Sequence, residues 1–401
     1  MAQEFSRRNL LFGMGAAAAA AATASPALAY PQRLLAGLDG KAAATTTVDG
    51  VILLSRNENA YGPFASVQDA MRQSLGRANR YTFPPDYAAL IDRISRLHGV
   101  QQNQIVIGAG STEILRMAAE AFTAPGKRLV TGHPTFEAMG AYAARRGAEV
   151  TTVPLTATYA HDLDAMLGAA RAGNGGLIYI CNPNNPTGSL TPASDLAAFA
   201  RQVPSGYVLL IDEAYHHFAN GLPGYAASEP SDSVMIARTF SKVYGMAGIR
   251  LGYAVATPER ARQMSKWQLD NNVNAVASQC GSVAMDDKTA TQEATRRIVA
   301  DRDEFLRQAK TRNIDVIPSY TNFAMMNAGR PARQVIDYFA RNKIQIGRPF
   351  PPMDTHVRVS FGTPEEMKRF WQAWDQMKTA RLASSSENAI AAAAYQWDGS
   401  C

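Results

Sequence analysis

Short apolar runs alternate with helical patterns through the middle of the chain. Seven of these runs are predicted to be strands, at residues 105–107, 128–131, 149–153, 177–181, 207–211, 234–237 and 251–256. Regular alternation of strands and helices favours a mostly parallel sheet that helices cover on both faces. The predicted fold class is therefore α/β, with a seven-stranded, mostly parallel sheet in the larger domain.

The pattern changes after about residue 285. Long charged helical patterns cover 289–311 and 333–342, and strands are predicted near Asp315, Phe323 and Val357. This mixture of long charged helices and separate strands favours a second, smaller α+β domain. The predicted order along the chain is a leader at 1–29, a linker at 30–50, the N-terminal part of the small domain at 51–80, the large domain at 81–285, the C-terminal part of the small domain at 286–380 and a tail at 381–401.

The leader has the order of features found in a signal peptide. Arg7 and Arg8 precede an uncharged stretch from Leu10 to about Ala24, and Ala-Leu-Ala at 27–29 forms a small-residue cleavage site. This resembles a twin-arginine signal peptide, so we expect cleavage and a periplasmic location. A cytosolic chain with an alanine-rich leader helix is the alternative. The apolar stretch is too short to span a membrane.

Composition removes several classes of protein. The chain has 401 residues, 46% hydrophobic and 18% charged, as is typical of a compact globular protein. Its 40 basic and 34 acidic residues are interspersed, so the net charge of +6 does not favour nucleic acid as a partner. The three cysteines have no CxxC pair and predict neither a disulfide framework nor a metal site. Cys181 and Cys280 are expected in the core, and Cys401 has no predicted role.

Four predicted strand ends carry unusual polar sequence, and in open α/β sheets ligands bind at such ends. A glycine turn at 108–113 leads into a helix, whose free backbone N–H groups can hold an anion. Two Asn-Pro pairs at 182–188 follow the fourth strand, although an ordinary proline-rich turn has the same composition. Asp212 ends the fifth strand, and burial without a cation would be costly for its carboxylate. Lys242 lies among small and apolar residues after the sixth, which suits a Schiff-base lysine.

Each of these motifs alone is as consistent with a structural role as with a binding site. Together, and in this order along the chain, they indicate a binding site for a single cofactor. The sequence resembles the fold-type-I pyridoxal-phosphate-dependent aminotransferases of class I/II, and among them the histidinol-phosphate aminotransferase-like group, from about Val51 to Met377. The motifs that carry the resemblance are Asn-Glu-Asn at 57–59 with Gly-Pro at 62–63, Gly-Ser-Thr-Glu-Ile-Leu at 110–115, the segment 182–188, Asp-Glu-Ala-Tyr at 212–215, Ser-Lys at 241–242 with Arg250, and Arg-Val-Ser-Phe-Gly at 358–362.

The resemblance implies catalytic roles for three residues around pyridoxal phosphate. Lys242 would hold the cofactor as a Schiff base and then carry the proton between substrate and cofactor carbons. Asp212 would pair with the pyridinium nitrogen. Tyr215, together with Asn185, would hydrogen-bond the phenolic oxygen, with core packing as the alternative for Tyr215.

The resemblance also implies how the rest of the cofactor is bound. The phosphate would be held by the turn and clamp residues Gly110, Ser111, Thr112, Thr239, Ser241 and Arg250. Phe136 would stack on the pyridine ring. Tyr81 would cross to the partner's phosphate, so a homodimer is expected.

Substrate contacts are implied for Arg358, Asn59, Asn185 and Arg348. Arg358 would grip the substrate carboxylate. Arg348 could bind a distal anion or be solvated. The family's Asn-Glu-Asn-Pro reads Asn-Glu-Asn-Ala at 57–60 here, and its Pro-x-Asn-Val-Asn reads Asp-Asn-Asn-Val-Asn at 270–274. Both segments approach the substrate side chain in the family, so the resemblance predicts substrate specificity least well.

The predicted function is an exported homodimeric aminotransferase that moves an amino group from an amino acid to a 2-oxo acid. The sequence leaves three alternatives open: histidinol-phosphate transaminase proper, a decarboxylase or racemase of the same fold, and a binding protein that has lost catalysis. No metal, nucleic acid or membrane partner is predicted beyond the export step.

Overall fold

A computed structural model describes residues 47–219, 221, 222, 224, 225 and 233–379. The predicted leader, the linker up to residue 46, and the tail with Cys401 lie outside these residues. Within the described part of the chain, no helix combines the length and the apolar character needed to cross a membrane.

The strands of the described residues follow the predicted runs closely. They are β1 (Thr47–Val48), β2 (Val51–Leu54), β3 (Ile105–Gly108), β4 (Arg128–His133), β5 (Glu149–Pro154), β6 (Gly176–Cys181), β7 (Tyr207–Asp212), β8 (Val234–Thr239), β9 (Gly252–Val255), β10 (Phe323–Asn327), β11 (Ile344–Ile346) and β12 (His356–Ser360).

The α-helices of the described residues lie between and after these strands. They are α1 (Ala65–Ser74), α2 (Pro84–His98), α3 (Ser111–Phe122), α4 (Ala138–Arg145), α5 (Leu163–Arg171), α6 (Ala193–Ala200), α7 (Pro258–Ser265), α8 (Ala275–Asp286), α9 (Lys288–Thr311), α10 (Ala332–Arg341) and α11 (Pro364–Thr379).

The large sheet contains all seven predicted strands, which confirms the predicted fold class. Their order is β3-β9-β8-β7-β6-β4-β5. Neighbours are parallel from β8 through β5, whereas β9 is antiparallel to both β3 and β8. β6 and β7 are buried along their whole length, as continuous apolar strands of a sheet covered on both faces should be.

Alternate residues of these strands enter cores on opposite faces of the sheet. On one face, Val106 and Tyr179 pack with Leu115 of α3. On the other, Ile107 packs with Leu90 of α2 and with residues of α8. Cys181 and Cys280 are both buried, as predicted.

A separate core forms around the C-terminal elements. β10 and β12 are antiparallel, and β11 pairs in parallel with β2. Phe339 of α10 stacks on Phe370 of α11 with ring centroids 4.9 Å apart. The helices predicted at 289–311 and 333–342 are confirmed as α9 and α10. The division into domains at residues 80 and 285 stays a prediction.

The strand predicted near Asp315 is wrong. Val316 forms only an isolated bridge with Met326, in a segment that continues to Pro318. Proline has no N–H to donate to a sheet, so pairing does not extend along this segment.

Candidate active site

The carboxyl edge of the large sheet collects the polar residues that the sequence singles out. β7 ends at Asp212 and β8 at Thr239, and Lys242 follows shortly after. These two strands are parallel neighbours, so they reach the edge together. β9 runs the other way and begins at this edge, with Gly252 opposite Thr239. Arg250 therefore arrives at the same edge from the start of a strand.

Asp212 is a buried carboxylate that only neutral groups hydrogen-bond in the described structure. It is 3% exposed. Its Oδ2 accepts a hydrogen bond from the Tyr179 hydroxyl at 3.0 Å, and its Oδ1 accepts one from the Ala214 N–H at 3.1 Å. Burial raises the pKa of the carboxyl to about 6, against the lowering effect of both hydrogen bonds. Such a group is stabilised when a cationic N–H binds beside it.

Lys242 has the environment of a nucleophilic amine. Its Nζ donates to the backbone oxygens of Asn57 at 3.0 Å and Arg56 at 3.3 Å. Burial, reinforced by the nearby Arg358 guanidinium, lowers the pKa of the ammonium to about 8. A substantial neutral fraction near physiological pH allows this amine to form a Schiff base and to accept a proton.

Tyr215 is close both to Lys242 and to Asn57, a residue whose role sequence reasoning missed. The Lys242 Nζ is 5.5 Å from the centroid of the tyrosine ring. The hydroxyl accepts a hydrogen bond from Asn57 Nδ2 at 3.1 Å, and burial raises the pKa of this phenol. Asn57 has a φ of 55°, a left-handed conformation that asparagine tolerates well. The Asn-Glu-Asn motif contained the residue, but only the fold reveals its contact with Tyr215.

The turn before α3 is an open cradle that side chains would fill. Gly110 has a φ of 82°, and a Cβ there would lie 2.1 Å from Arg250 Nη2. A Cβ on Gly252 would lie 2.4 Å from the Ser111 backbone nitrogen. Glycine at both positions therefore lets the Arg250 guanidinium and the N-terminus of α3 approach each other. Backbone N–H groups at a helix N-terminus beside a guanidinium suit a phosphate dianion.

Two hydroxyl residues border this cradle. Thr239 and Ser241 are both buried. The Thr239 hydroxyl donates to Ser241 Oγ at 3.0 Å and accepts a hydrogen bond from the Ser241 N–H at 3.1 Å. Thr112, in the first turn of α3, is exposed. The predicted clamp residues are therefore brought to one place.

Arg358 is a buried cation on β12. Its Nη1 donates to Asn185 Oδ1 at 2.5 Å and its Nη2 to the Ser55 backbone oxygen at 2.7 Å, while its buried Nε has no hydrogen-bond partner among the described residues. Burial lowers the pKa of the guanidinium to about 10. Its hydrogen-bonded partners in the described structure are neutral, so a bound anion would compensate the charge.

The remaining predicted residues are less enclosed. Arg348 pairs with Glu137 at 2.5 Å, with their side chains 53% and 65% exposed. Asn59 donates to the Val243 backbone oxygen at 3.0 Å, and so contacts the lysine segment. Phe136 is half-buried against the core below α3 and α4. Tyr81 is 79% exposed in the single chain.

The chemistry of this donor set fits pyridoxal phosphate. The cradle suits its phosphate, the buried Asp212 suits a protonated pyridine nitrogen, and Lys242 suits its aldehyde. When bound, this cofactor supplies an electron sink for charge that develops on a substrate carbon. The lowered pKa of Lys242 would let its amine accept and return a proton at this edge of the sheet. The fold and the site together define an enzyme of the pyridoxal-phosphate-dependent class.

Comparison with known proteins gives the family. The model for aminotransferase class I and II matches residues 49–373. The histidinol-phosphate aminotransferase of Symbiobacterium thermophilum is 37% identical over 328 residues, covering 80% of this chain and 89% of that protein. The one from Bacillus subtilis strain 168 is 32% identical over 330 residues, with 80% and 89% covered. The chain belongs to the class I and II aminotransferases.

Solved structures agree with this assignment. The crystal structure of histidinol-phosphate aminotransferase from Sinorhizobium meliloti in complex with pyridoxal-5′-phosphate has a TM-score of 0.77 and 29% identity, covering 82% of this chain and 91% of that one. The L-threonine-O-3-phosphate decarboxylase of Porphyromonas gingivalis has a TM-score of 0.72 at 20% identity, a likeness of fold alone. The predicted cofactor and reaction class are confirmed: the protein is a pyridoxal-phosphate-dependent aminotransferase, and decarboxylation or racemisation is not favoured.

Proposed function

We propose that this aminotransferase takes its amino group from an L-amino acid whose carboxylate binds Arg358, and passes it to a 2-oxo acid. The observation that carries the proposal is the buried Arg358 guanidinium, whose hydrogen-bonded partners in the described structure are neutral. A carboxylate would accept two parallel hydrogen bonds from it and neutralise its charge. Asn185 lies beside this arginine and would share the contact.

The other predicted anion contact already has a counter-charge. Arg348 is paired with Glu137, and its guanidinium lies 4.3 Å from the centroid of the Phe350 ring. An incoming phosphoester at Arg348 would have to compete with that carboxylate, whereas a carboxylate at Arg358 would not, because the hydrogen-bonded partners of Arg358 in the described structure are neutral. This supports an amino-acid donor over histidinol phosphate, the substrate in the name of the relatives.

We assign the cofactor contacts to the residues of the sheet edge. Lys242 would bind the cofactor's aldehyde carbon and carry the proton, and Asp212 would pair with the pyridinium nitrogen. Asn185 and Tyr215 would bind the phenolic oxygen, and Phe136 would stack on the ring. The phosphate would be held by Gly110, Ser111, Thr112, Thr239, Ser241 and Arg250.

The donor is tested with the purified protein loaded with pyridoxal phosphate. The visible absorption band of the cofactor should change on addition of particular L-amino acids and return on addition of a 2-oxo acid. Arg358→Lys should raise the KM for the amino acid about 100-fold, because a charge-assisted bidentate contact is lost, and should change kcat much less. A higher kcat/KM for histidinol phosphate than for every L-amino acid in the panel would overturn the proposed donor.

We further propose a homodimer in which Tyr81 completes the partner's phosphate site. Tyr81 belongs to a group of exposed large apolar residues that includes Leu75, Phe83, Trp267 and Leu269. Gln268 Nε2 bonds the Tyr87 hydroxyl at 3.0 Å, which joins the two segments that carry this group. Several large apolar side chains exposed on neighbouring segments are typical of an interface.

The dimer is tested by mixing two defective chains. Tyr81→Ala and Lys242→Ala variants should each be impaired, but a mixed dimer has one site with both residues intact. After subunit exchange, about a quarter of the wild-type sites should recover, since half of the dimers are mixed and each has one complete site. A monomer in solution, or no recovery on mixing, would contradict this arrangement.

We also propose export by the twin-arginine route, supported by the leader sequence that precedes the family match at residue 49. Residues 1–29 fused to a reporter should direct it to the periplasm. Replacing both arginines by lysine, Arg7→Lys with Arg8→Lys, should retain the reporter in the cytoplasm. Equal export of the two fusions would exclude that route.

A further inference from the structure

Tyr179 makes a contact with the active-site carboxylate that the sequence did not indicate. It lies on β6 and is fully buried. β6 and β7 are in parallel register, with Tyr179 opposite Leu210 and Cys181 opposite Asp212. Residues two apart share a face of a sheet, so Tyr179 and Asp212 lie on the same face. The hydroxyl reaches Asp212 Oδ2 at 3.0 Å.

The two oxygens of Asp212 are held by two different elements. Oδ2 is held from β6 by Tyr179, and Oδ1 is held by the Ala214 N–H in the segment after β7. A carboxylate bonded at both oxygens cannot rotate freely, yet each oxygen can accept a further hydrogen bond. The contact with Tyr179 therefore orients the group without saturating it.

The charged groups that affect Asp212 oppose each other. The Glu213 carboxylate raises its pKa, and the Lys242 ammonium lowers it. Cys181 and Tyr215 also lie close, but burial raises the pKa of both, so they are neutral near pH 7. Burial is the largest effect on Asp212, and the Tyr179 hydrogen bond is the largest effect that favours its ionised form.

We propose that Tyr179 is a positioning residue that holds Asp212 ionised and oriented for the pyridinium nitrogen of the cofactor. The inference rests on the proposed assignment of Asp212 and does not depend on which amino acid is the donor. An ionised, oriented Asp212 keeps the pyridine nitrogen protonated, and the protonated ring is the stronger electron sink. Tyr179 acts through the carboxylate and does not need to contact the cofactor.

Tyr179→Phe removes one oxygen atom and keeps the buried ring. The dissociation constant of pyridoxal phosphate should rise about tenfold, the size expected when a hydrogen bond to a charged group is lost. The pH below which cofactor binding weakens should move upward, because Asp212 then protonates more easily. Both are read by titrating the apo protein with pyridoxal phosphate from pH 5.5 to 8.5.

The matched control is Tyr207→Phe. Tyr207 is also buried, but it begins β7 and lies five residues from Asp212, about 17 Å along the strand. Its replacement should leave cofactor affinity and its pH dependence as in the unmodified protein. Equal behaviour of the two variants, whether both weaken binding or neither does, would overturn the role of Tyr179.

A double-mutant cycle separates positioning from packing. Tyr179→Phe should change cofactor affinity less than about twofold when Asp212 is already replaced by Asn, because the carboxylate through which it acts is gone. The same tenfold loss in both backgrounds would mean that Tyr179 only packs. If Asp212→Asn alone bound the cofactor like the unmodified protein, the assignment of Asp212 itself would fail.

A second substitution covers the case in which Tyr179→Phe does not fold. Incorporating 3-fluorotyrosine at position 179 keeps the hydroxyl and makes it a more acidic donor. Cofactor binding should then persist to lower pH than in the unmodified protein. A shift in the opposite direction, or none, would contradict the proposal.

Discussion

The two halves of the active site are built differently. The proposed cofactor side, with Asp212, Lys242, Tyr215, Thr239 and Ser241, lies at the tips of adjacent buried strands or just beyond them. The residues predicted for the substrate side, Asn59, Arg348 and Arg358, come from segments far apart in the chain. On the cofactor side the sheet register itself sets the spacing of the groups. On the substrate side Arg348 and Arg358 differ sharply in burial.

The two sides also differ in the ion pairs that support them. Behind the cofactor side, Glu213 and Arg238 form a buried ion pair at 2.8 Å that links the segment after β7 to β8. At the edge of the substrate side, Arg348 and Glu137 form an exposed ion pair at 2.5 Å. Buried pairs are costly to break, whereas exposed pairs contribute little. We therefore expect changes on the cofactor side to have large effects and changes at Arg348 to be tolerated.

The largest effect is expected at Lys242. Lys242→Ala removes both the Schiff-base amine and the proton carrier, so kcat should fall at least about 10⁴-fold. Lys266→Ala, at an exposed lysine after α7, is the control and should retain full activity. Steady-state rates with a good amino donor measure both. Residual activity within a hundredfold of the unmodified enzyme would mean that another base moves the proton.

The next largest effect is on stability. Glu213→Gln leaves the Arg238 guanidinium buried without its counter-charge, and should lower the free energy of unfolding by about 3–5 kcal/mol. Glu304→Gln, in an exposed pair with Arg307, should lower it by less than about 1 kcal/mol. Urea unfolding of both variants gives the comparison. If both variants lost the same free energy of unfolding, the ion pair behind the cofactor side would be no more important to stability than a pair on the solvated surface.

Asp212→Asn should have an intermediate effect, stabilising the apo protein. Burial raises the pKa of Asp212 to about 6 from 3.8, so the folded chain binds this proton more tightly than the unfolded chain. Stability from this group is present at low pH and is lost as pH rises from about 4 to 6. The variant should therefore match the unmodified apo protein near pH 4 and exceed it at pH 7.5 by on the order of 2–3 kcal/mol.

Urea unfolding of the apo proteins at the two pH values measures this difference. Asp270→Asn, at an exposed position, is the control and should show no such dependence. With pyridoxal phosphate bound, the order of stability at pH 7.5 should reverse. A destabilised apo variant at pH 7.5 would show that Asp212 is already compensated without the cofactor.

The smallest effect is expected at Arg348. Arg348→Gln breaks an exposed pair, so kcat/KM for the amino acid should change less than about threefold. Arg358→Lys serves as the contrasting variant with a large effect on KM. A loss of more than tenfold for Arg348→Gln would place this arginine in the substrate contact and favour a donor with a distal anion.

The cofactor side and the substrate side also differ in how much of each could be predicted from the sequence. Asp212 and Lys242 were predictable as site residues from the pattern at the strand ends. In a parallel sheet, ligands bind at the carboxyl edge, where an apolar run gives way to polar residues. Asn57 and Tyr179 could not be found this way. Asn57 meets Tyr215 through a contact 158 residues apart in sequence, and Tyr179 reads as one more apolar position of a buried strand. The Arg348 pair with Glu137 likewise depends on two loops that periodicity does not relate.

The reversed direction of β9 has a consequence for how the chain tolerates change in length. The segment between Thr239 and Gly252 leaves the edge of the sheet and returns to it, with the Phe240 N–H bonded to the Leu251 oxygen at 3.0 Å. Lys242 and Arg250 both lie on this segment, so its residue count sets the span between the amine proposed to bind the cofactor's aldehyde and the guanidinium proposed to bind its phosphate. The length of this loop is therefore matched to the length of one cofactor molecule. Insertions that other surface loops accept would here move Lys242 and Arg250 apart and separate the two ends of the cofactor site.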